Sequence, residues 1–98
     1  MDPKGVSMHD WKLKKIDFDW SAARVTVELE DSTYTPKLLI AESVRQLHVP
    51  RANDWGPSVS VNEVSEFPDA ATGLHRLKIE MQSGDVLEII AGHFSLPS

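Results

Sequence analysis

Apolar and polar residues alternate along most of this chain with a period of two. The alternation is clearest in residues 23–30, where Ala, Val, Val and Leu alternate with Arg, Thr, Glu and Glu. Residues 15–20, 58–62 and 76–82 share it. Successive side chains of a strand point to opposite faces of its sheet, so this period predicts strands with one face in a core and the other in water.

Turn-forming residues separate these stretches. Residues 82–85 contain Gly84 where a tight hairpin needs a positive φ. Residues 21–22 and 31–32 predict two more hairpins, and residues 51–57 and 68–73 predict exposed connections. Six or seven strands at even spacing predict an all-β fold, an antiparallel sandwich or barrel.

The first predicted strand contains a break in the alternation. Trp11 and Leu13 occupy odd positions, whereas the next apolar residues, Ile16 and Phe18, occupy even ones. One inserted residue reverses the facing of every residue that follows it in a strand. We therefore predict a β-bulge near residues 14–15.

One segment of the chain admits two interpretations. From Ile40 to Leu47 the apolar spacing is i, i+4, i+7, which is helical, whereas Leu47 and Val49 alternate as in a strand. So short a segment does not allow periodicity to decide. A short helical turn near residues 41–47 therefore stays open, but we favour two short strands with a kink near Ser43.

The last predicted strand is apolar on both faces apart from Glu88. Leu87 and Ile89 face one way, and Val86 and Ile90 face the other. Burying such a side chain contributes about 1.5–3 kcal/mol, so leaving several in water is costly. Burial on both faces within the chain would cover these side chains, and so would the contact surface of a homo-oligomer. Val86 and Ile90 are therefore candidate interaction residues.

The alternation also predicts the domain and its core. Residues 1–8 are expected to be a flexible N-terminal segment, and residues 9–98 a single β domain. The predicted core residues are Ile16, Phe18, Val25, Val27, Leu29, Leu38, Ile40, Leu47, Val59, Val61, Leu77, Ile79, Met81, Leu87 and Ile89.

Composition excludes several functions. The 98 residues include no cysteine, which rules out disulfides, thiolate metal sites and cysteine nucleophiles. No apolar run approaches the roughly 20 residues of a membrane helix, and the N-terminus has no signal-peptide pattern, so we expect a cytoplasmic protein without membrane contact. A formal net charge of −5 argues against nucleic-acid binding, which needs clustered positive charge.

No motif indicates catalysis. The chain has neither a Gly-x-Ser-x-Gly elbow nor a glycine-rich phosphate loop. Asp17 and Asp19 share one strand face, as paired catalytic carboxylates would, but we favour a charged sheet edge that discourages edge-to-edge pairing. We therefore expect no enzymatic activity and no cofactor.

The histidines suggest a metal site only weakly. They are scattered along the chain without the short spacing typical of zinc ligands, at positions His9, His48, His75 and His93. We expect them to be surface residues, with a zinc site as the alternative.

The most distinctive loop contains Trp55 between Pro and Gly residues, with Arg51 and His48 nearby in the sequence. Trp and Arg are enriched at binding hot spots, so these three are candidate interaction residues. Alternatively, Trp55 plugs an open end of the sandwich or barrel.

The main hypothesis is a non-catalytic protein-interaction module that self-associates or binds another protein. The alternative is a small-ligand-binding or enzymatic β-barrel with its site near these residues.

Several short motifs carry a resemblance to known proteins. They are His9-Asp10-Trp11, residues 16–20, Val49-Pro50-Arg51, residues 55–61 and residues 79–85. Together they resemble a group of small bacterial all-β domains, some of which are similar to immunity proteins of bacterial toxin systems. The resemblance spans residues 9–96 and includes no catalytic motif. It implies an all-β, bacterial, cytoplasmic protein that works by binding.

Overall fold

The protein is one antiparallel sheet of six strands in a computed structural model that describes residues 7–51 and 59–96. The described residues form no helix. The strands are β1 (Lys12–Asp19), β2 (Arg24–Glu30), β3 (Pro36–His48), β4 (Val61–Pro68), β5 (His75–Met81) and β6 (Val86–Ser95). The predicted all-β class is therefore confirmed, with six strands.

Parts of three predictions lie outside the described residues. These are most of the N-terminal segment 1–8, most of the connection 51–57, and the side chain of Trp55.

The sheet curls until its two edge strands meet at one end. The strand order is β1-β2-β3-β6-β5-β4, so β1 and β4 are the edges. Lys12 forms a bridge with Ser60, and the Leu13 N–H donates to the Val59 carbonyl oxygen at 2.8 Å. Farther along β1 no other described residue continues this pairing. The sheet is thus joined at one end and not closed along its length.

The two central strands, β3 and β6, bend at one point. Ser43 has a φ of 55° and lies opposite Gly92. A register shift between Val44 and Gln46 follows immediately. The predicted kink is therefore confirmed, in one continuous strand rather than two. The alternative of a helical turn near residues 41–47 is wrong, because the whole segment pairs as a strand.

The bend brings the apolar faces of the two halves of the sheet against one core. The buried members of the predicted core come from β2, β4, β5 and β6. They are Val25, Val27, Leu29, Val61, Leu77, Ile79, Met81, Leu87 and Ile89. The core also contains residues that the alternation missed, namely Met8, Trp11, Leu39, Ala41, Val44, Ala91, Phe94 and Leu96.

The predicted facing of the first half of β3 is wrong. Leu39 and Ala41 are buried, whereas Leu38 is exposed and Ile40 is only half-buried. Residues opposite one another in adjacent strands share a face of the sheet, and Leu39 lies opposite the buried Val27. All four residues 38–41 are apolar. Without alternating polar residues, the sequence does not indicate which of them face the core.

Four other predicted core residues are incompletely buried. Ile16 and Leu47 are half-buried and pack against the core cluster. Phe18 lies opposite the buried Val25 and so has the predicted facing, but at the end of β1 it remains 43% exposed. Val59, just before β4, is exposed as well. These residues border openings of the curled sheet instead of filling its interior.

Two local predictions are confirmed. The register of β1 against β2 shifts between Leu13 and Lys15, which places the predicted bulge at Lys14. The turn between β5 and β6 contains Gly84 with a φ of 99°, in the left-handed region that the predicted hairpin requires.

Candidate functional site

Two of the concave surfaces formed by the described residues are lined by members of the core cluster, and these two share no residue. The first, here called the aromatic groove, has a volume of about 490 Å³. It is lined chiefly by Phe18, Trp20, Ala23, Val44, Arg45 and Leu47. The second, here called the cationic cleft, has a volume of about 380 Å³. Its characteristic residues are Leu13, Lys14, Lys15, Ile16, Arg51 and Val59.

The aromatic groove forms where the end of β1 faces the part of β3 beyond the kink. Phe18 and Trp20 are two residues apart, so they share one face, and their ring centroids are 5.8 Å apart at an interplanar angle of 37°. The Val44 N–H donates to the Ala23 carbonyl oxygen at 2.9 Å, which fixes the β1–β2 turn against β3. Trp20 is 85% exposed. The groove therefore presents a large aromatic surface to solvent on a held backbone.

The charged rim of the aromatic groove is formed by Arg45. Its side chain is exposed and forms no ion pair with any residue of the described ranges. Trp and Arg are the side chains most enriched at binding hot spots. The groove thus combines aromatic surface with a cationic donor.

The cationic cleft lies at the other end of β1. Four consecutive residues, from Leu13 to Ile16, line it. Residues 49–51 after β3, Val59 before β4, and the β5–β6 hairpin supply the opposite walls. The cleft is thus bordered by both edges of the sheet.

The polar groups of the cationic cleft are mostly cations. Lys14, Lys15 and Arg51 line it together with one buried carboxylate, Asp85, which accepts a hydrogen bond from the Ser83 hydroxyl at 3.0 Å. Of the three cations only Lys15 has an ion-pair partner among the described residues, at 3.5 Å from an exposed aspartate. The three cations outnumber the one carboxylate of the lining, so the cleft is locally positive.

A separate ionic network holds the β4–β5 connection. The Asp69 carboxylate accepts hydrogen bonds from the Thr72 hydroxyl at 2.6 Å and from the Arg76 guanidinium at 2.9 Å. These bonds hold the pKa of Asp69 below its ordinary value, and the bond from Thr72 has the largest effect. Arg76 also reaches Glu88 at 3.4 Å. This network ties a turn to the outer face of the sheet and lines neither concave surface.

Among the sequence-predicted interaction residues, Arg51 reaches a concave surface, the cationic cleft, and is exposed there. His48 is exposed at the end of β3, where it lies opposite Glu88 of β6. Trp55 lies outside the described residues. The described structure therefore groups Arg51 with the lysines of β1 rather than with His48.

The other two predicted interaction residues lie on β6, a central strand between β3 and β5. Val86 is half-buried at its start, and Ile90 is buried. Ile90 is therefore covered by the chain itself and needs no homo-oligomer contact to cover it.

The alternation predicts Phe18 as a core residue, and sequence reasoning did not identify Trp20 as a candidate interaction residue. The available signal was position, because Trp20 is the last in-phase residue before a predicted turn, where a strand can extend past the core that it covers. The predicted bulge was a signal for the lysines of the cleft, since a bulge changes the direction of the neighbouring side chains.

The candidate carboxylates and histidines are not grouped into a site. Asp17 pairs with Lys15, and Asp19 accepts the Ala22 N–H at 3.1 Å, both on the exposed edge strand β1. Within residues 7–51 and 59–96, no three His, Asp or Glu side chains are arranged to hold a metal ion.

The described part of the chain contains no helix long and apolar enough to cross a membrane. Neither a protein-family model nor a curated protein matches this chain.

Proposed function

We propose that this protein is a non-catalytic interaction module that binds a protein partner at the aromatic groove. The observation that carries this proposal is the 85% exposure of Trp20 beside the 43% exposed Phe18. Aromatic side chains dominate the energetics of protein interfaces because each buries a large apolar area. Two of them in contact on the surface of a small domain are costly to leave in water, and a partner would cover them.

The surroundings of these rings fit an anchor site. Val44 and Leu47 form the opposite wall, so the groove can accept an apolar side chain of the partner between two apolar surfaces. Arg45 stands at the rim and can donate to carbonyl or carboxylate oxygens of the partner. A buried apolar centre with a polar rim is the usual anatomy of a protein–protein interface.

Charge favours a basic protein as this partner. The chain carries a formal net charge of −5, which accelerates encounter with a positively charged surface and opposes encounter with a second copy. The resemblance to immunity proteins implies the same kind of role, binding without catalysis. Self-association through the groove is the competing reading.

The test compares two exposed aromatic residues. Trp20→Ala removes the larger ring of the groove, and Tyr34→Ala is the matched control, since Tyr34 is 73% exposed on the β2–β3 turn away from the groove. A protein captured from extracts of the source organism is purified, and its affinity for each variant is measured by calorimetry. We expect Trp20→Ala to weaken binding by about tenfold or more, and Tyr34→Ala to leave it unchanged.

Equal affinity of the Trp20→Ala and Phe18→Ala variants and the wild type would overturn the proposal. Sedimentation of the wild type and Trp20→Ala resolves the identity of the partner. If the wild type is a dimer that Trp20→Ala converts to a monomer, the groove binds a second copy, and the proposal of a basic partner is wrong.

A further inference from the structure

The bulge in β1 gives the cationic cleft an unusual lining. In a regular strand, successive side chains point to opposite faces, so four consecutive residues do not line one cavity. Here the bulge at Lys14 interrupts the alternation, and all of residues 13–16 line the cleft. Leu13 and Ile16 are half-buried and pack against the core, whereas the two lysines between them are exposed. The bulge thereby brings two cations and two apolar side chains to the lining of one cleft.

The opposite walls of the cleft are apolar as well. They come from the segment after β3, the residue before β4, and the strands that flank the β5–β6 turn. The residues are Val49, Pro50, Val59, Met81 and Leu87. Val49 and Val59 are both exposed, so part of this apolar surface is in water.

The charged residues that line the cleft are mostly positive. Three cationic side chains face one carboxylate, and that carboxylate, Asp85, is buried and hydrogen-bonded to Ser83. Lys14 and Arg51 have no ion-pair partner in the described ranges. This local excess of positive charge contrasts with the formal net charge of −5 of the whole chain. An anion is the complementary ligand.

We propose that the cationic cleft is a binding site for a small amphiphilic carboxylate, an unbranched apolar chain that ends in one carboxyl group. The apolar chain would lie against Leu13, Ile16 and Val59, and Lys14 and Arg51 would bind the carboxylate. A volume of about 380 Å³ is within the range of small-molecule sites. Arg can bind a carboxylate with two parallel hydrogen bonds, so Arg51 is suited to this head group. The site is independent of the aromatic groove, with which it shares no residue.

The experiment uses decanoate, below its micelle-forming concentration, with decanol as the neutral analogue. Binding to the full chain is followed by calorimetry and by methyl chemical shifts. We expect saturable binding of decanoate and shift changes at Leu13, Ile16 and Val59. Decanol should bind about tenfold more weakly, because it cannot form ion pairs with Lys14 and Arg51.

Two variants and a control test the residues. Replacing Lys14, Lys15 and Arg51 together by Gln should weaken decanoate binding by about tenfold and leave decanol binding unchanged. Val59→Glu places a negative charge in the apolar wall at an already exposed position, so the fold should tolerate it while decanoate binding is lost. Arg24→Gln, which neutralises an exposed cation outside the cleft, is the control and should bind decanoate like the wild type.

Several results would overturn the proposal. They are no decanoate binding at millimolar concentration, equal affinity for decanol, and undiminished binding by the triple Gln variant. Shift changes at Val44 and Leu47 would place the ligand in the aromatic groove instead. Binding to vesicles of anionic phospholipid without binding to free decanoate would assign the cleft to a membrane surface, against the proposal.

Discussion

Ser43 and Gly92 face each other at the bend of the two central strands, and a Cβ atom added to Gly92 would lie 3.1 Å from the Cβ atom of Ser43. Ser43 itself adopts a φ of 55°, a left-handed conformation that residues other than Gly rarely occupy. The lack of a side chain at residue 92 leaves room for Ser43 of the neighbouring strand. This pair therefore permits the bend that places both halves of the sheet around one core.

The close contact predicts that Gly92→Ala destabilises the protein by about 1–3 kcal/mol through overpacking. In a Ser43→Gly background the same change should cost less, because the Ser43 Cβ atom that the new methyl group would meet is gone. Urea unfolding of the wild type, both single variants and the double variant gives the coupling energy. If Gly92→Ala lowers the free energy of unfolding equally in both backgrounds, the contact with the Ser43 Cβ atom is not the cause of the destabilisation.

The facing of β3 predicts opposite outcomes for two neighbouring leucines. Leu39 is 0% exposed and Leu38 is 40% exposed. Leu39→Ala should therefore lower the free energy of unfolding by about 2–5 kcal/mol, whereas Leu38→Ala should lower it by less than about 1 kcal/mol. Thermal or urea unfolding measures both. A larger loss for Leu38→Ala would mean that the strand is shifted by one residue.

The exposure of Trp20 predicts that its ring contributes little to folding. Trp20→Ala should change the free energy of unfolding by about 0.5 kcal/mol or less, although its effect on partner binding is expected to be large. The matched variant is Trp11→Ala, which removes a buried ring of the core and should cost about 3–5 kcal/mol. A Trp20→Ala variant as unstable as Trp11→Ala would make Trp20 a structural residue.

The Asp69 network predicts a dependence of stability on acid pH. The pKa of Asp69 is lower in the folded protein than in the unfolded chain, chiefly because the Thr72 hydroxyl donates to its carboxylate. Its stabilising effect is therefore present above the unfolded pKa, near pH 4, and is lost as the pH falls through the folded pKa. Thr72→Val should raise the folded pKa and diminish this acid-sensitive stability.

The check is an NMR titration of the Asp69 carboxyl carbon in the wild type and Thr72→Val. Thr33→Val is the matched control, since the Thr33 hydroxyl donates to Asp31 at 2.7 Å and is the main cause of the lowered pKa of that residue. It should raise the pKa of Asp31 and leave that of Asp69 unchanged. An identical Asp69 titration in the wild type and Thr72→Val would contradict the assigned cause.

Short-range features of the fold were predictable from the sequence. The period of two, the bulge at Lys14, the kink at Ser43 and the glycine turn at Gly84 all depend on a few neighbouring residues. Strand facing and turn conformation are local properties, because each side chain alternates about its own backbone and a positive φ favours particular residue types. For this reason the all-β class and the core residues of β2 and β5 followed from the sequence alone.

Only the tertiary structure decided which side chains border the openings of the curled sheet. In residues 38–41 every side chain is apolar, and the choice between Leu38 and Leu39 came from the partner strand β2. Trp20 is exposed because β1 extends past the core, and Lys14 and Arg51 line one cleft because the sheet curls until its edges join. Such relationships depend on residues far apart in the chain, and neither periodicity nor composition contains the distances between them.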